Sequence, residues 1–297
     1  MKFKHKLDEH FPIRELTLGE IPKQLFQIPQ PPKKLFIRGE LPSAETKLLC
    51  VVGSRKYTSY GRDVCQKLIA GLRGYNIAIV SGLAMGIDGL AHEAAIEAGL
   101  ITIAMPGSGL AADCIHPVAH LGLARKILES GGCLISEFEP NFKATAYSFP
   151  QRNRLAAGLS QAVLIIEGEV KSGTLITARL ATEYNKDVLT IPGSIFSKTS
   201  EGPHLLLRLG ATPITTSEEI LLALGIEPKN SDPKNLELEY DDCSEPEKKI
   251  LTILREPMSK DDLLEQLGLP VSEANTLLTV LELKGLIYES LGEIRLK

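Results

Sequence analysis

Leu48-Leu49-Cys50-Val51-Val52-Gly53-Ser54-Arg55 is an unbroken apolar run closed by a glycine, a hydroxyl and a cation. A short run of this kind, with no polar residue interleaved, describes a strand buried on both faces. The pattern recurs downstream. Asn76–Val80 ends in Ser81-Gly82, Ile101–Met105 in Pro106-Gly107-Ser108-Gly109, and Val188–Ile191 in Pro192-Gly193; Cys133–Ser136, Ala162–Glu167 and Ala211–Ile214 are further short strands. Helical apolar spacing fills the intervals at Gly61–Leu72, Ile87–Ala98, Pro117–Glu129, Arg152–Gly158, Leu175–Tyr184, Pro203–Leu209 and Ser217–Leu224. Apolar strands alternating with amphipathic helices predict an α/β fold, a doubly wound, mostly parallel sheet covered on both sides. Such sheets bind ligands at the carboxyl ends of their strands, where glycines admit a ligand to the backbone and helix N-termini favour anions.

The flanks read differently. Residues 1–46 carry Pro22, Pro29, Pro31, Pro32 and Pro42, which break regular structure, and only Lys33–Gly39 suits a short edge strand. This N-terminal arm is expected to pack loosely on the domain spanning 47–225. Residues 226–243 are acidic and proline-containing, as in a flexible linker. Beyond it, 244–297 holds three helical segments, Glu247–Arg255, one capped by Ser259, and Val271–Lys284. A hairpin of Leu286–Ser290 and Glu293–Leu296 follows, the pattern of a small winged helix.

Net charge is −4, unevenly distributed: +2 over 1–46, +1 over 47–225 and −7 over 226–297. Bulk charge therefore does not draw polyanions, and any anion site belongs to the first two segments. The winged helix is itself net −3 over 244–297. Phosphate contacts dominate non-specific affinity for DNA, so an acidic module is expected to make protein or regulatory contacts. The five cysteines are too widely spaced for a zinc knuckle or a redox pair, and Cys50 and Cys133 read as buried small hydrophobes. No signal peptide and no apolar run of about 20 residues is apparent, which predicts a cytoplasmic protein. GxGxxG and Walker A motifs are lacking, and no cofactor is expected. Asp88/His92 and His116/His120 have helical i,i+4 spacing, but neither pair has an evident third ligand, so no metal is expected.

Phe149-Pro150-Gln151-Arg152-Asn153-Arg154-Leu155-Ala156-Ala157-Gly158-Leu159-Ser160 sets two arginines and a ring together. Guanidinium forks suit phosphate oxygens, and a ring offers a base a stacking surface. Each arginine alternatively pairs with Glu137, Glu139 or Glu167, and Phe149 alternatively fills the core.

Four motifs in order, Gly53-Ser54-Arg55, Ser81–Asp88, Phe149–Ser160 and Lys171-Ser172-Gly173-Thr174-Leu175-Ile176-Thr177-Ala178, give the chain a resemblance to the DNA-processing protein A family, DprA or Smf. The resemblance covers about 47–224, with a winged helix behind it. It implies an extended Rossmann-like domain that binds single-stranded DNA without catalysis. It further implies protection of incoming strands during natural transformation, loading of a RecA-type recombinase, and homodimerisation. On this resemblance the nucleic-acid-binding residues are Gly53, Ser54, Arg55, Ser81, Gly82, Gly107, Phe149, Arg152, Asn153, Arg154, Lys171, Ser172, Gly173 and Thr174. Departures are the short N-terminal segment, His116-Pro117 where Tyr-Pro is common, and Leu155-Ala156 in a usually more branched run.

Two other readings stand beside it. Related folds hydrolyse nucleotides at the glycosidic bond, a phosphoribohydrolase-type reaction for which Glu137 and Glu167 are the suitable carboxylates. That reading lacks the composite Pro-Gly-Gly-x-Gly-Thr loop. The third is a protein-interaction scaffold, which suits the acidic tail but not the paired arginines.

Overall fold

The computed structural model describes residues 10–229, 243–254, 257–290 and 292–296, and they divide into two compact units between Pro228 and Lys229. Most of the acidic stretch read as a linker, 230–242, lies outside the described residues.

The first unit is a nine-stranded sheet. Its strands are β1 (Arg14–Glu15), β2 (Phe36–Gly39), β3 (Lys47–Val52), β4 (Ile77–Ser81), β5 (Ile101–Ala104), β6 (Cys133–Ser136), β7 (Ala162–Ile165), β8 (Asp187–Thr190) and β9 (Thr212–Pro213). Their order across the sheet is β1-β2-β6-β5-β4-β3-β7-β8-β9. The pairs from β6 through β9 are parallel, while β1–β2 and β2–β6 are antiparallel. The chain steps outward from β3 through β4 and β5 to β6, then returns to lay β7 on the other side of β3. That reversal makes β3/β7 the switch point, where doubly wound sheets open a crevice beyond the strand ends.

Reversal also changes the covering face. Leu49, Val51, Ile77, Ile79 and Leu164 point to one side, under α1 (Ser59–Ala70), α2 (Ile87–Glu97) and the later α7 (Ser217–Ala223). Ala104 and Leu134 pack with α3 (Leu121–Glu129). Cys50, Val52, Val80, Val163 and Ile165 point to the opposite side, under α4 (Ser148–Leu159) and α5 (Gly173–Glu183), with Leu206 of α6 (Glu201–Arg208). Strands buried on both faces account for apolar runs without alternation.

The arm corrects the expectation of loose packing. Its β1 and β2 extend the sheet past β6, and Leu16, Ile21, Leu25, Ile28, Leu35 and Ile37 are buried in the core beside Leu155 and Leu159. Its prolines stop long elements but not burial. At Gly158, a Cβ would lie 2.6 Å from Ile28 Cγ2, so α4 and the arm touch at a residue with no side chain. All five cysteines are buried, and burial pushes the Cys65 and Cys133 thiols up to about 12. Among the described residues no helix is long and apolar enough to cross a membrane.

The second unit contains α8 (Glu245–Ile253), β10 (Met258–Ser259), α9 (Lys260–Leu267), α10 (Val271–Leu283), β11 (Ile287–Ser290) and β12 (Glu293–Leu296). Ile250, Leu263, Leu267, Leu281 and Ile294 form its core. The two-residue β10 pairs with β12 and was not foreseen, being too short to show a period. Ser259 caps α9 by accepting from the Asp262 N–H at 3.1 Å. Glu247 closes the capping box of α8: it accepts from the Ser244 N–H at 2.5 Å and from Lys284 Nζ at 2.8 Å.

Lys284, then the Ser244 N–H, depresses the Glu247 carboxyl from its ordinary 4.5 to about 2. Its stabilising contribution is therefore full above the ordinary value and is lost as pH falls toward 2. Glu247→Gln is expected to lower the stability of this unit by about 1–3 kcal/mol at neutral pH and to flatten its acid limb. Thermal melts of the full chain across that range, with hydrogen exchange in α8 and α10 assigning the transition, measure both.

Candidate nucleic-acid interface

A cleft of about 690 Å³ opens at the switch point. The β3–α1 loop supplies Gly53, Ser54, Arg55 and Lys56 on one wall; Lys171 and Ser172 of the β7–α5 loop, with Gly173 and Thr174 at the start of α5, supply the other; Phe149, Arg152 and Asn153 of α4 lie between.

Each wall is held from behind. A Cβ on Gly53 would lie 2.6 Å from Ile87 Cγ1, so the loop leaves β3 pressed against the first turn of α2. The Ser54 carbonyl accepts from the Ile87 N–H at 3.1 Å, and Ser54 Oγ both accepts from the Lys56 N–H at 3.0 Å and donates to the Lys56 carbonyl at 2.6 Å. Gly86 faces this loop with φ +91°, and a Cβ there would lie 2.2 Å from the Ser54 carbonyl oxygen. Only glycine meets both requirements. Arg55 and Lys56 thus emerge exposed from a short, tied loop.

Phe149 belongs to the first turn of α4, not to a preceding loop; Pro150 is tolerated there because first-turn N–H groups have no intrahelical acceptor. The ring is half-buried. Arg55 Cζ lies 5.5 Å from its centroid, a cation–π contact, and the His116 ring lies 5.7 Å away, tilted by 48°. A Cβ on Gly107 would come within 2.6 Å of Phe149 Cδ1, so Gly107 is the floor under the ring.

The two arginines separate. Arg152, 6% exposed, lies at the base of the cleft. Its Nη1 donates to the carbonyls of Gly82 and Met105, and its Nε to Asn153 Oδ1 at 3.0 Å. Asp88 is buried beside it and accepts from the Gly82 N–H at 3.1 Å. Burial pushes the Asp88 carboxyl upward, with Arg152 and the Ala84 and Gly82 N–H groups opposing; burial lowers Arg152, with Asp88 opposing. Arg154 points away from the cleft. Its Nη2 bonds Glu137 Oε2, and its Nε reaches Gln151 Oε1 at 3.4 Å. Arg154 Nη1 and Glu137 Oε1 are buried without a hydrogen-bond partner among the described residues. Burial raises the Glu137 carboxyl, and Arg154 pulls it back.

Three further expected residues stand behind the cleft, not in its walls. Ser81 is buried and donates to the Val51 carbonyl at 2.6 Å, clamping β4 to β3. Gly82 supports Arg152: a Cβ would lie 2.2 Å from its Nη1. Gly107 supports Phe149. Conversely Lys56, Asp88, Glu169 and Thr177 line the cleft and were not foreseen as site residues. Lys56 is legible in the sequence as the cation following Gly-Ser-Arg; Asp88 stands out there only by its i,i+4 spacing to His92 and as the end of the Ser81–Asp88 motif.

Ser172 precedes α5, whose N-terminus opens on the cleft. Its Oγ is buried without a hydrogen-bond partner among the described residues. Lys171 beside it is exposed. The cleft therefore presents Arg55, Lys56 and Lys171 against the exposed carboxylate of Glu169.

The histidines of the helical pairs have other partners. Thr102 Oγ1 donates to the Ile79 carbonyl at 2.9 Å, so in its 2.6 Å contact with His92 Nδ1 it accepts, and His92 carries its proton there. Burial lowers the His92 pKa to about 3. His120 Nδ1 contacts the Leu83 carbonyl at 2.8 Å. Among the described residues no three His, Cys, Asp or Glu side chains are grouped to hold a metal.

Fold and site together define an extended Rossmann-like protein with a cationic, ring-bearing cleft at its switch point and a C-terminal winged helix. The family model for DNA recombination-mediator protein A matches residues 15–225, and that for the DprA winged helix domain matches 227–292. The chain is 40% identical to protein Smf of Escherichia coli K12 over 90% of its own length and 72% of the relative's. It is 38% identical to DNA processing protein DprA of Streptococcus pneumoniae, covering 72% and 74%. Among solved structures, DprA of S. pneumoniae superposes with a TM-score of 0.65 at 36% identity, covering 73% of this chain and 76% of that one. DNA processing protein A of Helicobacter pylori, described with a single-stranded DNA binding mode, superposes with a TM-score of 0.64 at 30% identity, covering 72% and 96%. The chain belongs to the DprA/Smf family of DNA-processing proteins.

Removing the Arg154 cation strands a buried carboxylate. Arg154→Met is expected to destabilise the first unit by about 3–5 kcal/mol, and Glu137→Leu in the same chain to recover much of that loss. Thermal or urea unfolding of the single and double variants reads the difference.

Proposed function

We propose that the chain is a non-catalytic, single-stranded DNA-binding protein that protects incoming strands and delivers them to a RecA-type recombinase during natural transformation, acting as a cytoplasmic homodimer. The observation that supports DNA binding is the meeting of Arg55, Lys56, Lys171, the α5 N-terminus and the Phe149 ring in one cleft. Exposed cations and helix-terminal N–H groups suit phosphates, and a held ring suits an unstacked base. Kinship with the H. pylori protein favours the same ligand. Recombinase delivery and the dimer rest on family membership.

In this reading Arg55, Lys56 and Lys171 meet phosphate, Ser172 Oγ and the backbone of Gly173 and Thr174 add donors, and Asn153 faces the strand. Arg152 shapes the floor, and Arg154 holds the fold. Non-catalysis is supported by the state of the two carboxylates a glycosidic hydrolase would need. Glu137 is engaged by Arg154, and Glu167 accepts from the Thr58 N–H at 2.9 Å, Thr58 Oγ1 at 2.6 Å and Thr199 Oγ1 at 3.0 Å.

Affinity for single strands should fall with salt, and Arg55→Ala and Lys171→Ala should each weaken binding and reduce the slope of log K against log salt by about 0.7. Anisotropy titrations at several salt concentrations test this; two variants with wild-type affinity and slope would place the phosphates elsewhere. Release of free base from nucleoside monophosphates would instead establish a hydrolase.

A further inference from the structure

Next to the cleft, on the far side of the β3–α1 loop, is a second crevice of about 520 Å³. We propose that it is a continuation subsite for the same single strand, with Phe196 as the residue on which an emerging base stacks. The proposal rests on the cleft being a single-strand site.

The β3–α1 loop and the first turn of α1 together wall both cavities. Gly53–Lys56 face the cleft, and Thr58, Ser59 and Tyr60 face the crevice, with exposed Tyr57 between them. The opposite wall is the loop after β8, beginning Pro192-Gly193. Tyr60 Oη donates to the Pro192 carbonyl at 2.7 Å and ties the walls together. Beyond Gly193 the chain makes a tight turn, with the Ser197 N–H on the Ser194 carbonyl at 3.1 Å and the Phe196 N–H on Ser194 Oγ at 3.2 Å. That turn lifts Ile195 and Phe196 into solvent, 81% and 93% exposed. A phenylalanine held out on an ordered turn forgoes the burial that ordinarily keeps such side chains inside.

The chemistry of the crevice favours a nucleic-acid strand over a protein. Ser59, Ser194, Ser197 and Ser200 line it with hydroxyls, and the apolar tip is only two residues wide, flanked by serines and Lys198. A protein-docking patch would be a broader apolar surface. Glu167, among the described residues the one carboxylate lining it, already accepts three hydrogen bonds from Thr58 and Thr199, which offset its repulsion of phosphate. Lys56, two residues before Thr58, and Lys198, next to Ser197, are exposed. Three exposed rings, Tyr57, Tyr60 and Phe196, thus follow the cationic cleft along the same edge of the sheet, the arrangement of cations and rings by which single strands are bound without sequence preference.

The test uses the full chain with a short oligo(dT) of about 6 nucleotides, sized to the cleft, and a long one of about 20. Phe196→Ala is expected to weaken the long oligonucleotide at least about fivefold and leave the short one unchanged, with Phe196→Tyr restoring the loss. A long strand carrying 5-iododeoxyuridine is expected to photo-crosslink at Phe196. If Arg55→Ala weakens both lengths while Phe196→Ala weakens neither, the subsite is overturned and the cleft stands. If the wild-type protein binds neither length, both are overturned. If Phe196→Ala alters only the oligomeric state in light scattering, the tip is a protein contact and the proposal fails.

Discussion

The buried guanidinium of Arg152 is the point on which the candidate site is built. A cation taken out of water must be compensated, and here two carbonyls and a carboxylate do it: Gly82 beyond β4, Met105 beyond β5, and Asp88 on α2. Gly82 and Met105 follow neighbouring paired strands, Asp88 is tied to the Gly82 N–H, and Arg152 joins all three to α4. Their capture fixes α4 over the strand ends, and α4 carries Phe149 and Asn153 into the cleft. Gly82 is glycine because the guanidinium occupies the place of its side chain, and Gly107 is glycine because the Phe149 ring does. Removing Arg152 would therefore act on Phe149 and on the β4 and β5 termini together, through packing as much as through charge.

The strands and helices were largely legible because a sheet buried on both faces imposes unbroken apolar runs, and helices lying on it impose their own spacing. β3 through β8 and their covering helices follow from that alone. What escaped was set by partners distant in sequence. The strand in the arm is legible within Lys33–Gly39, but not its antiparallel pairing with β6 or the addition of β1 outside it. In the site, Gly53, Ser54, Arg55 and Lys171–Thr174 are local features, a strand end and a helix start, and they line the cleft. Arg152 and Arg154 are one residue apart, and no local rule separates them. Their roles depend on Glu137 at the end of β6 and on the carbonyls beyond β4 and β5, which only the folded chain brings near.

Local and total charge pull apart in this protein. The chain is net −4, yet Arg55, Lys56 and Lys171 converge on a cleft that has, among the described residues, one exposed carboxylate, Glu169. Field depends on what lies within about a Debye length, so the charge that matters is the local set lining the cleft and not the total. The buried carboxylates near the strand ends are each compensated where they stand: Asp88 by Arg152 and N–H groups, Glu137 by Arg154, Glu167 by threonines and an N–H. Leaving any of them bare at the carboxyl edge would oppose an anion there.

On the proposed reading, the state of Phe149 bears on the choice between single and paired strands. Arg55 stands over the ring, His116 is tilted against it and Gly107 is beneath it, so little of its surface is free. A base gains contact only by stacking on the Arg55–Phe149 pair or by replacing Arg55 over the ring. Both require a base with a free face. Inside a duplex each base has both faces stacked on neighbours, and exposing one costs unstacking energy. A single strand offers free faces without that cost. The phosphate-binding groups of the cleft would attract either form, so it is the crowding of this one ring that would favour the single strand.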